Sequence, residues 1–404
     1  MDAAYLALAA KYVRRQAKQL AEQLDGVRAA SDIEYVHRAR VASRRLRAAL
    51  RVFAECFGAK AVKCWRRHIR SVTRELGAAR DNDVQIDFLF AFLHGLKVPA
   101  VYPGLVRLLG RLEQQREELQ PQVVEAVKRL RAKKTVAEML FACRRIASKL
   151  NPATAEGPAI QARRLAEKHV VGRLEEMLPL QDSLRDAEAK PRHHALRIAC
   201  KRLRYTMEIV KPLYGPPIEP VIEAARAAQT LLGDLHDCDV WEQRLEEFVA
   251  RERKRIRKHF GHDGPLARLE VGIEYLRQDR RARRQEAFQE LVALWDHWTQ
   301  QDLWDKLRRF LRGEVVEIRR ADILPAEPRS AGILPAEAVG TAVPPVEASR
   351  MPTLHAEAAE TAAPQSQPRR NVVPEEYVQS PRALAAAYRE PVRVSKSVRE
   401  AVPS

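Results

Sequence analysis

HRARVASRRLR at His37–Arg47 and HALRIACKRLR at His194–Arg204 are two versions of one stretch, and their agreement decides how the chain is read. With His37 set on His194, Arg40 meets Arg197, Arg44 meets Lys201, Arg45 meets Arg202 and Arg47 meets Arg204. A second pair follows in the same order, LGAARDNDV at Leu76–Val84 against LGDLHDCDV at Leu232–Val240. From 37 to 194 and from 76 to 232 the offsets are 157 and 156 residues. Two motifs recurring in order at nearly one spacing point to an internal duplication.

At about 100° per residue, His37, Arg40, Arg44, Arg47 and Arg51 fall within an arc of about 80° on one helix face. Ala39, Ala42, Leu46, Ala49, Leu50 and Phe53 lie opposite and are expected to face a core. The second copy sets His194, Arg197, Lys201 and Arg204 against Leu196, Ala199, Leu203, Met207 and Val210, with Glu208 standing where Arg51 stood. Ahead of the second motif, Lys63, Arg66, Arg67, Arg70 and Arg74 share an arc of about 100°. Only Arg226, matching Arg70, clearly survives from that face in the second half, where Glu219, Glu223 and Thr230 replace others. The basic surface is therefore expected to be lopsided, stronger in the first half.

Like charges at i,i+4 repel by a few tenths of a kcal/mol per pair, and the first stripe has no interleaved acid to relieve them. Guanidinium forks suit phosphate oxygens. A stripe about 20 Å long suits a linear polyanion touching it at several phosphates. A single charged stripe is usually a solvated face; two matching stripes favour anion binding.

Charge across the chain agrees. The 404 residues carry a net +18, yet the segment from Ala321 to Ser404 holds nine Lys/Arg and ten Asp/Glu, so the excess belongs to residues 1–320. Such a body attracts anions. Helical periodicity runs from Ala3 to about Arg320 in stretches of about 15 to 30 residues, and no alternating strand pattern interrupts it. Breaks are expected at Asp25-Gly26, Gly58, Val98-Pro99, Pro103-Gly104, Pro191, Gly215-Pro216-Pro217 and Gly264-Pro265. The fold class is all-α, in antiparallel bundles. NPATAEGP at Asn151–Pro158 divides the body into 1–150 and 151–320. Residues 321–404 hold 12 of the 24 prolines and repeat Ile-Leu-Pro-Ala-Glu at 323–327 and 333–337. This tail is expected to be disordered, apart from a short helix around Pro381–Arg389.

The five cysteines are odd in number and form no CxxC pair, which indicates neither a disulfide framework nor a zinc site. They suit a reducing, cytoplasmic setting. The N-terminus, MDAAYLALAAKYVRRQ, reads as an amphipathic helix rather than a signal peptide. No apolar run reaches the roughly 18 residues of a membrane span.

Asp81 with Asp83, and Asp237 with Asp239, are read as acids that begin a helix, cap it and fix neighbouring arginines; the competing reading is a metal site. His37 and His194 head the stripes as anion contacts, kept mostly neutral near pH 7 by local positive charge. The basic runs Arg251–Lys258 and Arg277–Arg284 have no repeat behind them and are read as solvated faces.

The paired motifs resemble those of the CHAD family, the conserved histidine α-helical domain. The resemblance is carried by His37-x-x-Arg40-x-x-x-Arg44-Arg45-Leu46-Arg47 and Leu76-Gly77-x-x-Arg80-Asp81-x-Asp83-Val84, with their second copies, and spans about residues 1–315. It implies two helical bundles related by pseudo-twofold symmetry, whose basic faces line a central groove that binds inorganic polyphosphate, and association with polyphosphate granules. His37, Arg40, Arg44, Arg47, His194, Arg197, Lys201 and Arg204 match the anion-contacting positions. Arg45, Arg51, Lys63, Arg67, Arg70, Arg74, Arg202 and Arg226 complete the expected site. Some such domains are fused to a CYTH triphosphate hydrolase with an ExExK signature. Here Glu314-Val-Val-Glu317 is one residue too wide and is expected on a helix, so the chain reads as a stand-alone binding domain without catalytic residue, metal or cofactor.

Two other functions compete. An HD-type metal phosphohydrolase would use His236-Asp237 with His193, His194 or Asp239; against it, the matching pair in the first copy is Arg80-Asp81. Nucleic-acid binding would use the same charge, but no aromatic residues interleave the stripes to stack bases.

Overall fold

The computed structural model describes residues 2–30, 32–150 and 159–323. Among them lie ten α-helices and no strand. The expected tail from Leu324 onward, its short helix around Pro381–Arg389 and the dividing stretch Asn151–Pro158 fall outside the described residues.

The first five helices are α1 (Ala3–Ala29), α2 (Ile33–Val52), α3 (Ala59–Gly95), α4 (Tyr102–Ala132) and α5 (Thr135–Ala147). The next five are α6 (Ile160–Met177), α7 (Lys190–Tyr214), α8 (Glu219–Phe260), α9 (Leu266–Gln300) and α10 (Leu303–Leu311). Local chemistry sets their ends. Asp32 caps α2 by accepting from the Glu34 backbone N–H at 2.8 Å. Pro191 opens α7, and Gly215, at φ 72°, closes it ahead of Pro216 and Pro217.

Several helices are longer than the periodicity suggested. α3, α8 and α9 run for 37, 42 and 35 residues. Asp25-Gly26 does not break α1, because the ring of Tyr35 occupies the space a Cβ at Gly26 would need. Leu76-Gly77 likewise lies inside α3, so the basic face at Lys63–Arg74 and the second motif share one continuous helix. Glu314 and Glu317 are not helical, since α10 ends at Leu311. The described fold extends to Ile323, which is buried and accepts a 2.8 Å hydrogen bond at its carbonyl from Trp298 Nε1.

Neighbours recur in order. α1 packs on α2, α2 on α3, α3 on α4 and α5 on α1; α6 packs on α7, α7 on α8, α8 on α9 and α10 on α6. Across the two sets, α1 meets α6, α2 meets α7 and α4 meets α9. One apolar core is continuous across both, joining Leu46, Leu50 and Ile69 to Leu203, Val210, Leu291 and Trp298. A second cluster, including Leu93, Leu105, Leu109, Trp241, Leu245 and Leu276, ties together the far ends of α3, α4, α8 and α9.

Candidate anion-binding face

The contact of α2 with α7 brings the two stripes side by side. The Arg44 guanidinium carbon stands 5.6 Å from the centre of the Tyr205 ring, and that of Arg204 stands 4.6 Å from the same ring. A cation from each stretch therefore leans on one aromatic. Lys201 lies among them. Burial, then the charges of Arg44, Arg197, Arg40 and Arg47, hold its ammonium down to about 7. Burial and the repulsion of Arg40, Arg197 and Arg204 likewise hold Arg44 below its ordinary value.

Arg47 and Arg51 continue the face toward α3. Arg47 is depressed by burial and by Arg70, Arg66 and Arg202; Arg51 by burial and by Arg202, Arg66 and Arg173. Beside them opens a cleft of about 900 Å³ lined by Arg47, Arg51, Lys63, Arg66, Arg67 and Arg70, with Glu55 the one acid on its wall. Among the described residues, Arg44, Arg47, Arg51, Lys63, Arg66, Arg70 and Lys201 have no carboxylate within 4.0 Å. Unrelieved like charge on half-buried groups costs free energy that an arriving polyanion would recover.

Acids enter unevenly. Asp81 pairs with Arg40 at 2.7 Å, Glu176 lies 3.6 Å from Arg202, and Glu208 pairs with Arg204 at 2.5 Å and reaches Arg226 at 4.0 Å. Three of these four contacts involve residues of α7 or α8. Not every expected residue joins it. Arg74 is exposed, paired with Glu75 at 2.8 Å, and outside the cleft. Tyr205 and Arg173 were not anticipated; the signal for Tyr205 was its place directly after Arg204.

The histidines at the stripe heads stay uncharged near neutrality. His37 is held below its ordinary value by burial and by Arg80, Arg40 and Arg38. Burial, Arg197 and Lys201 do the same to His194, whose Nδ1 lies 3.2 Å from His236 Nδ1. Burial, Arg197 and His194 bring His236 down to about 4.

Asp81, Asp83 and Asp239 fix arginines, but none of the four aspartates begins a helix. Asp81 and Asp83 lie within α3, and Asp237 and Asp239 within α8. Asp83 pairs with Arg116 at 2.6 Å, and Asp239 with Arg284 at 2.7 Å, each tying a long helix to the next. The run Arg277–Arg284 is accordingly no solvated face: Arg284 is buried, and Arg281 and Arg283 pair with Glu242 and Asp234 of α8. Of the residues in the phosphohydrolase reading, His194 and His236 meet, while His193 and Asp239 are engaged elsewhere. His193 is buried with Nε2 2.9 Å from the Ser183 carbonyl, and Asp239 is taken by Arg284. Among the described residues, no group of three or more His, Cys, Asp and Glu side chains is arranged to hold a metal ion.

An all-helical protein with paired basic helices in its middle is the class so defined. The chain belongs to the CHAD domain family, whose description matches residues 11–246. It is similar in fold to the crystal structure of the CHAD domain from the plant Ricinus communis, with 22% identity, 72% of this chain and 92% of that chain covered, and a TM-score of 0.50. A likeness to PptA from Streptomyces chartreusis has 19% identity, covers 70% of this chain and 98% of that chain, and gives a TM-score of 0.42. No curated protein matches the sequence. None of the described helices is long and apolar enough to cross a membrane.

Proposed function

We propose that the chain binds inorganic polyphosphate, at polyphosphate granules in the cytoplasm, and acts by binding rather than catalysis. The observation that carries this reading is Lys201, set among Arg40, Arg44, Arg47 and Arg197 with no carboxylate in reach among the described residues. A linear polymer with one charge per phosphate matches a row of guanidinium groups along two adjacent helices, and family membership supports the same ligand. His37, Arg40, Arg44, Arg47, Arg51, His194, Arg197, Lys201 and Arg204 form the centre of the contact. Lys63, Arg66, Arg67 and Arg70 extend it along α3. The matching order of helix neighbours supports two copies of one unit, over 1–150 and 151–320, facing each other across a basic groove.

Reversing charge at the centre tests this reading. The double variant Arg44→Glu, Lys201→Glu is expected to lose retention on immobilised polyphosphate while keeping its helical signal. Retention equal to the parent's would remove this face from the account.

A further inference from the structure

Lys201 stands one helical turn after Arg197 and one before Tyr205 on α7, where α7 packs against α2. The charges of Arg40, Arg44 and Arg47 of α2 and of Arg197 of α7 bear on its ammonium. Lys201 bears in turn on His194 of α7 and His236 of α8, both held neutral near pH 7. Its side chain is only partly buried, so the amine stays open to solutes. Among the described residues, Lys201 Nζ has no hydrogen-bond partner and no carboxylate within 4.0 Å. The Nε groups of Arg40 and Arg197, one from each stripe, are buried and likewise lack an acceptor among the described residues. Buried donors without an acceptor, around an unengaged amine, suit the oxygens of a phosphate group.

The same surroundings change what the amine can do. An ordinary lysine keeps less than about one part in a thousand of its amine unprotonated at pH 7. Burial and the neighbouring guanidinium groups bring Lys201 down to about 7, so about half of it is free amine there. A lysine desolvated beside other cations is an activated nucleophile. Lys11 and Lys18 of α1, by contrast, are exposed to solvent.

We propose that Lys201 is a site of N-acylation by small acyl phosphates, which the surrounding guanidinium groups hold by the phosphate. The Nζ lone pair attacks the acyl carbon. A C–N bond forms, the C–O bond to phosphate breaks, and phosphate leaves with the bonding pair. The proton shed by the nitrogen is taken up by the departing phosphate, so nothing is oxidised or reduced and no further reactant is required. The product amide carries no charge, so the face loses one cation. The chemistry asks only for a small phosphate-bearing anion and does not depend on the polyphosphate reading.

The test uses the full chain and two acyl donors, dianionic acetyl phosphate and neutral p-nitrophenyl acetate, with rates taken relative to a small model amine and sites mapped by mass spectrometry. Lys201 should be the first lysine acylated by acetyl phosphate, at a rate that rises with pH to half its maximum near 7. At low salt its preference for the anionic donor should exceed the model amine's by about tenfold, the low end for electrostatic steering, and should shrink as salt rises. Arg197→Gln removes one neighbouring cation, so it should move the midpoint upward and reduce the preference, with circular dichroism confirming the fold. Acylation of Lys201 no faster than that of Lys11 and Lys18, a midpoint at the ordinary lysine value, or a preference equal to the model amine's would each overturn the assignment. So would an unchanged midpoint and preference in the folded Arg197→Gln variant. Retention on polyphosphate is measured separately, and its failure would leave these outcomes standing.

Discussion

Gly104 on α4 and Gly272 on α9 each lie against the backbone of the other helix. A Cβ at Gly104 would stand 2.1 Å from the Leu269 carbonyl oxygen, and one at Gly272 would stand 2.0 Å from that of Val101. Each glycine therefore meets the residue three positions before the other. Backbone oxygens at that range cannot yield as a side chain would.

Gly104→Ala and Gly272→Ala should accordingly each cost stability, by about 1–3 kcal/mol on the scale of overpacked contacts. The two losses should be of similar size. Denaturant unfolding of both variants measures this, and an unchanged midpoint in either would show that the crossing has slack.

Glu252 joins α8 to α4. Its carboxylate is buried, 3.0 Å from Arg107, 2.8 Å from Arg111 and 2.5 Å from Arg255. Burial by itself would raise its pKa, but the hydrogen bonds and charges of Arg111 and Arg107 outweigh that and hold it below the ordinary carboxylate value. A folded-state pKa below the unfolded one gives stability that is present above the unfolded value and lost as pH falls through the folded one. Glu252→Gln should cost about 3–5 kcal/mol at neutral pH, as for breaking a buried ion pair from one side. The loss should shrink in acid, below the usual carboxylate range, where the parent also forfeits the charge. A pH series of unfolding curves for both proteins reads it.

The depressed ammonium of Lys201, at about 7, makes binding proton-linked. A polyanion favours the charged form, so affinity for polyphosphate should fall as pH rises above 7, by at most about tenfold per pH unit for one linked proton. Lys201→Arg, which stays charged, should flatten that slope. Conversely, the folded-state value lies below the unfolded one for a cation, so the charged group opposes folding. Lys201→Gln should therefore raise the melting temperature of the free protein near neutral pH while weakening binding. Titrations across pH 6.5–9 and melting curves supply both readouts.

Tyr205 carries a guanidinium from each stretch. Tyr205→Phe should bind polyphosphate as the parent does, because the ring face is kept. Tyr205→Ala should weaken binding by about 0.5–2 kcal/mol through loss of that support. Equal affinities for the two variants would leave the ring without a part in the site.

Residue spacing along α2 and α7 made the all-α class and the paired stripes legible, because a period near 3.6 sorts His37, Arg40, Arg44 and Arg47 from Leu46 and Leu50 without any tertiary knowledge. Helix ends were less legible where glycine serves packing. Gly26 gives way to Tyr35, and Gly77 sits beside the Arg40 guanidinium, neither of which a local pattern reveals. Long-range pairing was least legible. Arg116 and Arg284 look like members of charged surface runs until Asp83 and Asp239 are found opposite them on the neighbouring helices.

The most direct measurement is a titration of the full chain with long-chain polyphosphate at two salt concentrations, with duplex DNA and RNA as competitors. Binding to every polyanion should weaken at the higher salt. If the face between α2 and α7 is a polyphosphate site, polyphosphate should stay bound tightly in the presence of excess nucleic acid, and Arg44→Glu, Lys201→Glu should abolish that resistant fraction. Ready displacement by DNA or RNA would contradict the account and turn the face into a general polyanion surface.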